Sequence, residues 1–142
     1  MAMATSPQLA WLIAQFGARH NDPDADMSQP APTRALLIHA ARECGAVDLL
    51  LNNAGIQHAA NLEHFPIERW DAMIAMNLSS GFHMPHLALP SMKARRWGLV
   101  TNSASTHGLV ASARESAYLA AKAGIGGFAK AVALEAATSG VM

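Results

Sequence analysis

Charge of either sign is in short supply. Ten basic side chains face ten acidic ones, the formal net charge is zero, and only 14% of the residues are charged. Without a basic stripe there is no electrostatic footprint for nucleic acid or an anionic membrane surface, so neither is expected as a partner. Cysteine is scarcer still: the lone Cys44 excludes an internal disulfide. There is no signal-peptide pattern and no run of about 18 apolar residues that could cross a bilayer, and the combination points to a reducing cytoplasm. Metal ligands are thin as well. His83 and His86 stand three apart in a helical stretch, but no Cys or carboxylate nearby completes a tetrahedral set, so packing or surface histidines are expected rather than a metal site. Repeats, low-complexity tracts and interdomain linkers are missing too, which leaves 142 residues, 51% of them hydrophobic, as one domain with a moderate core.

What is present alternates between helix and strand. Residues 7–17 place Leu9, Leu12, Ile13 and Phe16 at helical spacing, with Gly17 as a stop. The stretch 18–24 is too polar for a buried parallel strand. A helix introduced by Pro30 and Pro32 and closed by Gly45 follows, with Leu37, Ala41 and Cys44 on one stripe. The apolar run 47–51 does not alternate, so a strand buried on both faces of a parallel sheet is expected. After a polar loop, 67–95 reads as a long helical segment holding Trp70, Met73, Asn77, Phe82 and Met92. Gly81 weakens it, and Pro85 should cost about 3 kcal/mol by removing a backbone hydrogen bond and crowding the preceding turn. The strand 98–103 should lie parallel to and beside 47–51. The closing helix, 116–137, is rich in alanine and glycine, which permits close helix approach. The fold class is therefore α/β.

One spacing carries definite chemistry. Tyr118 and Lys122 lie four apart in a helical segment, so their side chains share a face one turn apart. An ammonium beside a phenol favours the phenolate, as a general acid or base requires. Ser105, thirteen residues before Tyr118, ends the strand 98–103, where its hydroxyl could hold a substrate oxygen. The plain reading of a Tyr and a Lys at this spacing is an amphipathic helix face. The accompanying residues change the balance: Asn52-Asn53-Ala54-Gly55 follows the first strand, and Asn77 lies 25 residues beyond Asn52.

Taken in order, these motifs resemble the short-chain dehydrogenase/reductase family, with its N-N-A-G motif and its Asn-Ser-Tyr-Lys tetrad. Asn52 to His58, Trp70-Asp71-Ala72, Asn77-Leu78-Ser79-Ser80, Leu87-Ala88-Leu89-Pro90 and His107-Gly108-Leu109-Val110 are similar to its D-3-hydroxybutyrate dehydrogenase branch. The likeness runs from about residue 22 to the end. It implies a Rossmann-like doubly wound parallel sheet lacking the first two and the last strands, so that 1–142 is a single incomplete domain. It also implies NAD as cofactor and a small hydroxy acid as substrate, oxidised from D-3-hydroxybutyrate to acetoacetate. By the same resemblance Tyr118 exchanges the hydroxyl proton, Lys122 assists it and holds the nicotinamide ribose, Ser105 orients the substrate oxygen, and Asn77 supports a proton relay. Asn52, Ala54 and Gly55 border the cofactor. Asp26 matches the residue that reads the adenine amino group, with an ordinary turn or cap carboxylate as the other reading. Gln57 and His107 match positions that bind the substrate carboxylate, against the reading of polar loop residues facing water. In the family Asn77 disturbs its helix, whereas a buried Asn bonded to a carbonyl is the plainer account. The helix 116–137 is where the family packs subunits, which implies a homo-oligomer.

The chain departs from the family in two ways. A T-G-x-x-x-G-x-G turn for the cofactor pyrophosphate is missing, so NAD is expected to bind weakly or not at all. Glu115 stands three before the Tyr, where the family has a Lys that pairs with the substrate carboxylate. Two functions therefore stay open: an NAD-dependent dehydrogenase, or a non-catalytic remnant or interaction module that pairs with intact relatives.

Overall fold

The computed structural model describes residues 25–142; the expectations for 7–17 and 18–24 lie outside them. Two short strands, β1 (Leu49–Asn52) and β2 (Leu99–Asn102), run parallel, in the register Leu49↔Leu99 through Asn52↔Asn102. Each follows a glycine-closed or tightly turned helix end and breaks at asparagine, as short strands do. The last residues begin a further pairing on the far side of β2. Val141 bridges Gly98 in parallel, and the Val100 N–H donates to the Met142 carbonyl at 2.8 Å.

Helix α1 (Pro30–Cys44) opens on proline and closes at Gly45, whose φ of 85° suits a residue without Cβ. The long segment between the strands is helical from end to end but not uniform. It comprises α2 (Ile67–Ile74), a wider five-residue π turn (Ala75–Ser79) and α3 (Ser80–Arg95). Pro85 and Pro90 sit inside α3 without breaking it. The Pro85 ring is fully buried, and that burial offsets part of the lost backbone bond. Helix α4 (Ser116–Ala136) follows β2 and a short loop.

All three long helices cover one face of the sheet. Leu50 belongs to one buried cluster with Leu37 of α1, Met84, Ala88 and Met92 of α3, Ala136 of α4 and Val141, and Val100 flanks it. No described helix covers the other face, where Leu49 is 61% and Leu51 57% exposed. The run around β1 is thus buried on one face, not two, because the described helices all cross over on the Leu50 side. Cys44 departs from its expected stripe too. It is exposed, since α1 ends there and a hollow of ≈ 260 Å³ opens beneath its last turns, lined by Leu37, Ala41 and Leu87 among others. His83 and His86 pack their rings on Phe82, with centroids 5.4 and 5.2 Å away.

A bare apolar face beside a strand edge that has no partner among the described residues favours self-association. Leu51→Lys is expected to raise the concentration at which the chain stays monodisperse in light scattering, with a stability change within about 0.5 kcal/mol. An unchanged onset of association would locate the sticky surface elsewhere.

Candidate active site

The carboxyl ends of both strands open on a polar cavity of ≈ 290 Å³, lined by Asn53, Gly55, Ile56, Gln57, Ser103, Ala104, Tyr118 and Lys122. This is where open α/β sheets place ligands. Strand β2 delivers Ser103 and Ala104 to its rim, β1 delivers the Asn53–Gln57 loop, and α4 brings Tyr118 and Lys122 against both.

Lys122 is buried and its Nζ donates to the Ser103 carbonyl at 2.7 Å. The same ammonium lies 5.7 Å from the centre of the Tyr118 ring. One turn of α4 separates the two residues, which sets the ammonium over the ring. The Tyr118 hydroxyl has no hydrogen-bond partner among the described residues, which leaves it available to a ligand. Burial pushes the Lys122 ammonium below the usual lysine range. Because the folded pKa lies below the unfolded one, the unfolded chain binds the extra proton between the two values, and this residue's contribution to stability rises with pH across that window. The stability advantage of Lys122→Met over the parent, followed by urea unfolding, is therefore expected to shrink as pH climbs toward 10.5, the ordinary lysine value. A pH-independent difference would contradict this account of the burial.

Ser105 and His107 flank the cavity without lining it. The Ser105 hydroxyl accepts the His107 backbone N–H at 3.2 Å and lies 3.3 Å from its Nδ1, while the His107 ring meets Tyr118 edge-on at 5.9 Å. Their loop presses on α4 at Gly108. A Cβ there would come within 2.9 Å of the Lys122 carbonyl oxygen, so any side chain would push Ser105 and His107 away from the helix.

Asn77 lies under the loop after β1. It is 5% exposed, its Oδ1 accepts the Ile56 N–H at 2.8 Å, and its Nδ2 donates to the Ile56 carbonyl at 2.8 Å. It sits in the middle of the π turn, a distortion common at functional sites. Gly55 packs over it, since a Cβ would stand 3.0 Å from Asn77 Oδ1. Asn52 is tied across the sheet to Asn102, Nδ2 to Oδ1 at 2.8 Å, and Ala54 is exposed beside it. Asp26 stands apart from the cavity in an exposed turn before α1, where its carboxylate accepts the Ser28 hydroxyl at 2.7 Å and the Ser28 N–H at 2.9 Å. The hydroxyl, then the N–H, hold that carboxyl below the usual range.

Four lining residues, Asn53, Ile56, Ser103 and Ala104, are not among the site residues expected from the sequence. Asn53 Oδ1 accepts the Ser103 hydroxyl at 2.6 Å, joining the two strand ends. The signal for Ser103 was its place two before Ser105, on the same side of an extended segment. Among the described residues no three His, Cys, Asp or Glu side chains gather as a metal site, and no helix is long and apolar enough to cross a membrane.

A parallel sheet backed by helices, with a Tyr-Lys pair at its carboxyl edge, defines an α/β oxidoreductase domain. A family model for the short chain dehydrogenase matches residues 6–142, and the chain belongs to that family. It is 58% identical over 117 residues to the D-beta-hydroxybutyrate dehydrogenase of Cupriavidus necator, and 51% identical over 117 residues to that of Rhizobium meliloti. Each match covers 82% of this chain and 45% of the relative, so the chain spans about half the length of those proteins. Among solved structures, a metagenomic short-chain oxidoreductase in complex with NADP superposes with a TM-score of 0.88 at 27% identity, over 94% of this chain and 61% of that one.

Proposed function

We propose that the chain carries the proton-transfer side of an NAD-dependent dehydrogenase that converts D-3-hydroxybutyrate to acetoacetate in the cytoplasm. The observation that carries this reading is a Tyr118 hydroxyl with no hydrogen-bond partner among the described residues, beside a buried Lys122 ammonium in a polar cavity. The cavity fits the ribose end of a nicotinamide cofactor: it presents the ammonium, the Ser103 hydroxyl and a Gly55 edge free of side chain. Asn52, Ala54, Gly55, Tyr118 and Lys122 would border that group, with Asp26 toward its adenine end favouring NAD over NADP. When bound, the cofactor supplies the acceptor for the hydride.

The remaining steps belong to this chain. Ser105 and Tyr118 hold the substrate hydroxyl, and Tyr118 Oη accepts its proton. Lys122 sets its ammonium beside the Tyr118 ring, and its remaining N–H groups can bond the ribose. Asn77 fixes the loop that forms the cavity floor through Ile56, and by resemblance anchors a relay that carries the proton away. Gln57 and His107 stand where resemblance puts the substrate carboxylate. Isothermal titration of the full chain with NAD and NADP, followed by an assay for NADH on adding D-3-hydroxybutyrate, tests this. Micromolar NAD affinity, about −8 kcal/mol, with turnover supports it, whereas no binding at millimolar NAD overturns it.

A second reading has support in α4. Gly126 and Gly127 face open space, and Leu134 is 82% exposed, which suits a module that pairs through this helix with another copy or an intact relative and needs no NAD. Light scattering and pull-down with a full-length relative separate the two.

A further inference from the structure

The cavity has two electrically different ends. Lys122 supplies a cation at the Tyr118 end. At the other end, Gln57 turns its amide onto Glu115, with Nε2 at 2.8 and 2.7 Å from the two carboxylate oxygens. That contact ties the loop after β1 to the start of α4. A neutral amide satisfies part of the carboxylate's hydrogen-bonding capacity and none of its charge. Among the described residues Glu115 has no ion-pair partner. Arg114 beside it adopts a left-handed backbone, with φ of 70°, and its carbonyl accepts the Ala60 N–H. The placement is not helix capping either. Glu115 occupies the N-cap position of α4, where a side-chain oxygen commonly accepts the first N–H groups of the helix, but it makes no such bond. A solvent-reached carboxylate at the cavity rim is thus held by Gln57, a cavity-lining residue, with no cation against it among the described residues.

We infer that the Gln57–Glu115 pair selects a substrate with a cationic or N–H-donating end, a small secondary alcohol carrying an ammonium, and disfavours one ending in a carboxylate. This rests on the dehydrogenase reading, which places the reacting carbinol at Tyr118, but it revises the substrate end of that reading: D-3-hydroxybutyrate becomes a poorer substrate than an amino alcohol of the same skeleton. An ammonium finds free lone pairs on Glu115 and the Gln57 Oε1 close by, giving charge-assisted bonds. A carboxylate meets like charge, and the Gln57 donor it needs is already engaged.

The test uses the isotope-labelled full chain with excess NAD and two ligands on one carbon skeleton: 3-hydroxybutyrate, and 4-aminobutan-2-ol, in which an aminomethyl group replaces the carboxylate. Binding is read from the Gln57 side-chain amide resonances. The amino alcohol is expected to bind at least about tenfold more tightly, about 1.4 kcal/mol. Glu115→Gln should bring the two within about threefold, and Glu115→Lys should reverse their order. Equal or tighter binding of the hydroxy acid by the parent chain overturns the inference, as does a preference that survives Glu115→Gln or a Gln57 resonance that neither ligand moves. The dehydrogenase reading fails on a separate signal: no NADH from either ligand in the parent or in Glu115→Lys, whatever the binding order.

Discussion

Tyr118→Phe is expected to lower turnover by about 10²- to 10⁴-fold, the usual worth of a positioned general acid or base. The substitution is unusually clean here. Phenylalanine keeps the ring that meets His107 edge-on and lies near the Lys122 ammonium, and the hydroxyl it deletes bonds to nothing among the described residues. No buried partner is orphaned, so the urea midpoint should stay within about 0.5 kcal/mol of the parent. The loss should fall on kcat, because the missing proton transfer belongs to the transition state. Steady-state assays with NAD and D-3-hydroxybutyrate, paired with an unfolding curve, check both parts. A folded variant with parental kcat removes Tyr118 from the chemistry.

Asn77→Ala should be the most damaging single change to stability near the site, at about 2–4 kcal/mol. It deletes two bonds of 2.8 Å and leaves the N–H and carbonyl of Ile56 facing a cavity, at about 1–3 kcal/mol for each orphaned group. Solvent reaches Ile56, which is 38% exposed, and this holds the total below the upper sum. Asn77→Asp separates the two bonds: it still accepts from the Ile56 N–H but cannot donate to the carbonyl, so its loss should be intermediate. Urea unfolding measures the totals, and amide exchange at Ile56 reports the local opening. A loss below about 0.5 kcal/mol would show that the side chain does not hold the loop.

The elements that encode themselves locally were readable from the chain. Both strands, the parallel pairing, the proline-started α1 and the closing helix fall within a few residues of their expected bounds, because apolar runs, proline and glycine act at short range. So was the spacing that brings Tyr118 and Lys122 to one cavity, since it depends only on helix geometry. What depended on distant partners was not. The exposure of Leu49 and Leu51 reflects which side the helices cross on, a property of α1, α3 and α4 together and not of the run itself. The tolerance of Pro85 comes from the core that buries its ring. The Asn53–Ser103 and Gln57–Glu115 contacts join residues 50 and 58 positions apart, a separation at which no periodicity operates. Asp26 stayed open on sequence alone, and its two bonds from Ser28 show how much a turn can account for before any ligand is considered.

The pairing of Leu49 with Leu99 also sets a timetable for biosynthesis. During synthesis at about 5–20 residues per second, β1 leaves the ribosome several seconds before its neighbour, and helices α2 and α3 have time to form in between. The sheet therefore cannot begin to assemble until β2 emerges, because closing so long a loop precedes any strand–strand hydrogen bond. Over that interval Leu49, Leu50 and Leu51 form an unpaired β-prone segment, the kind of sequence that chaperones shield and that crowded nascent chains misuse.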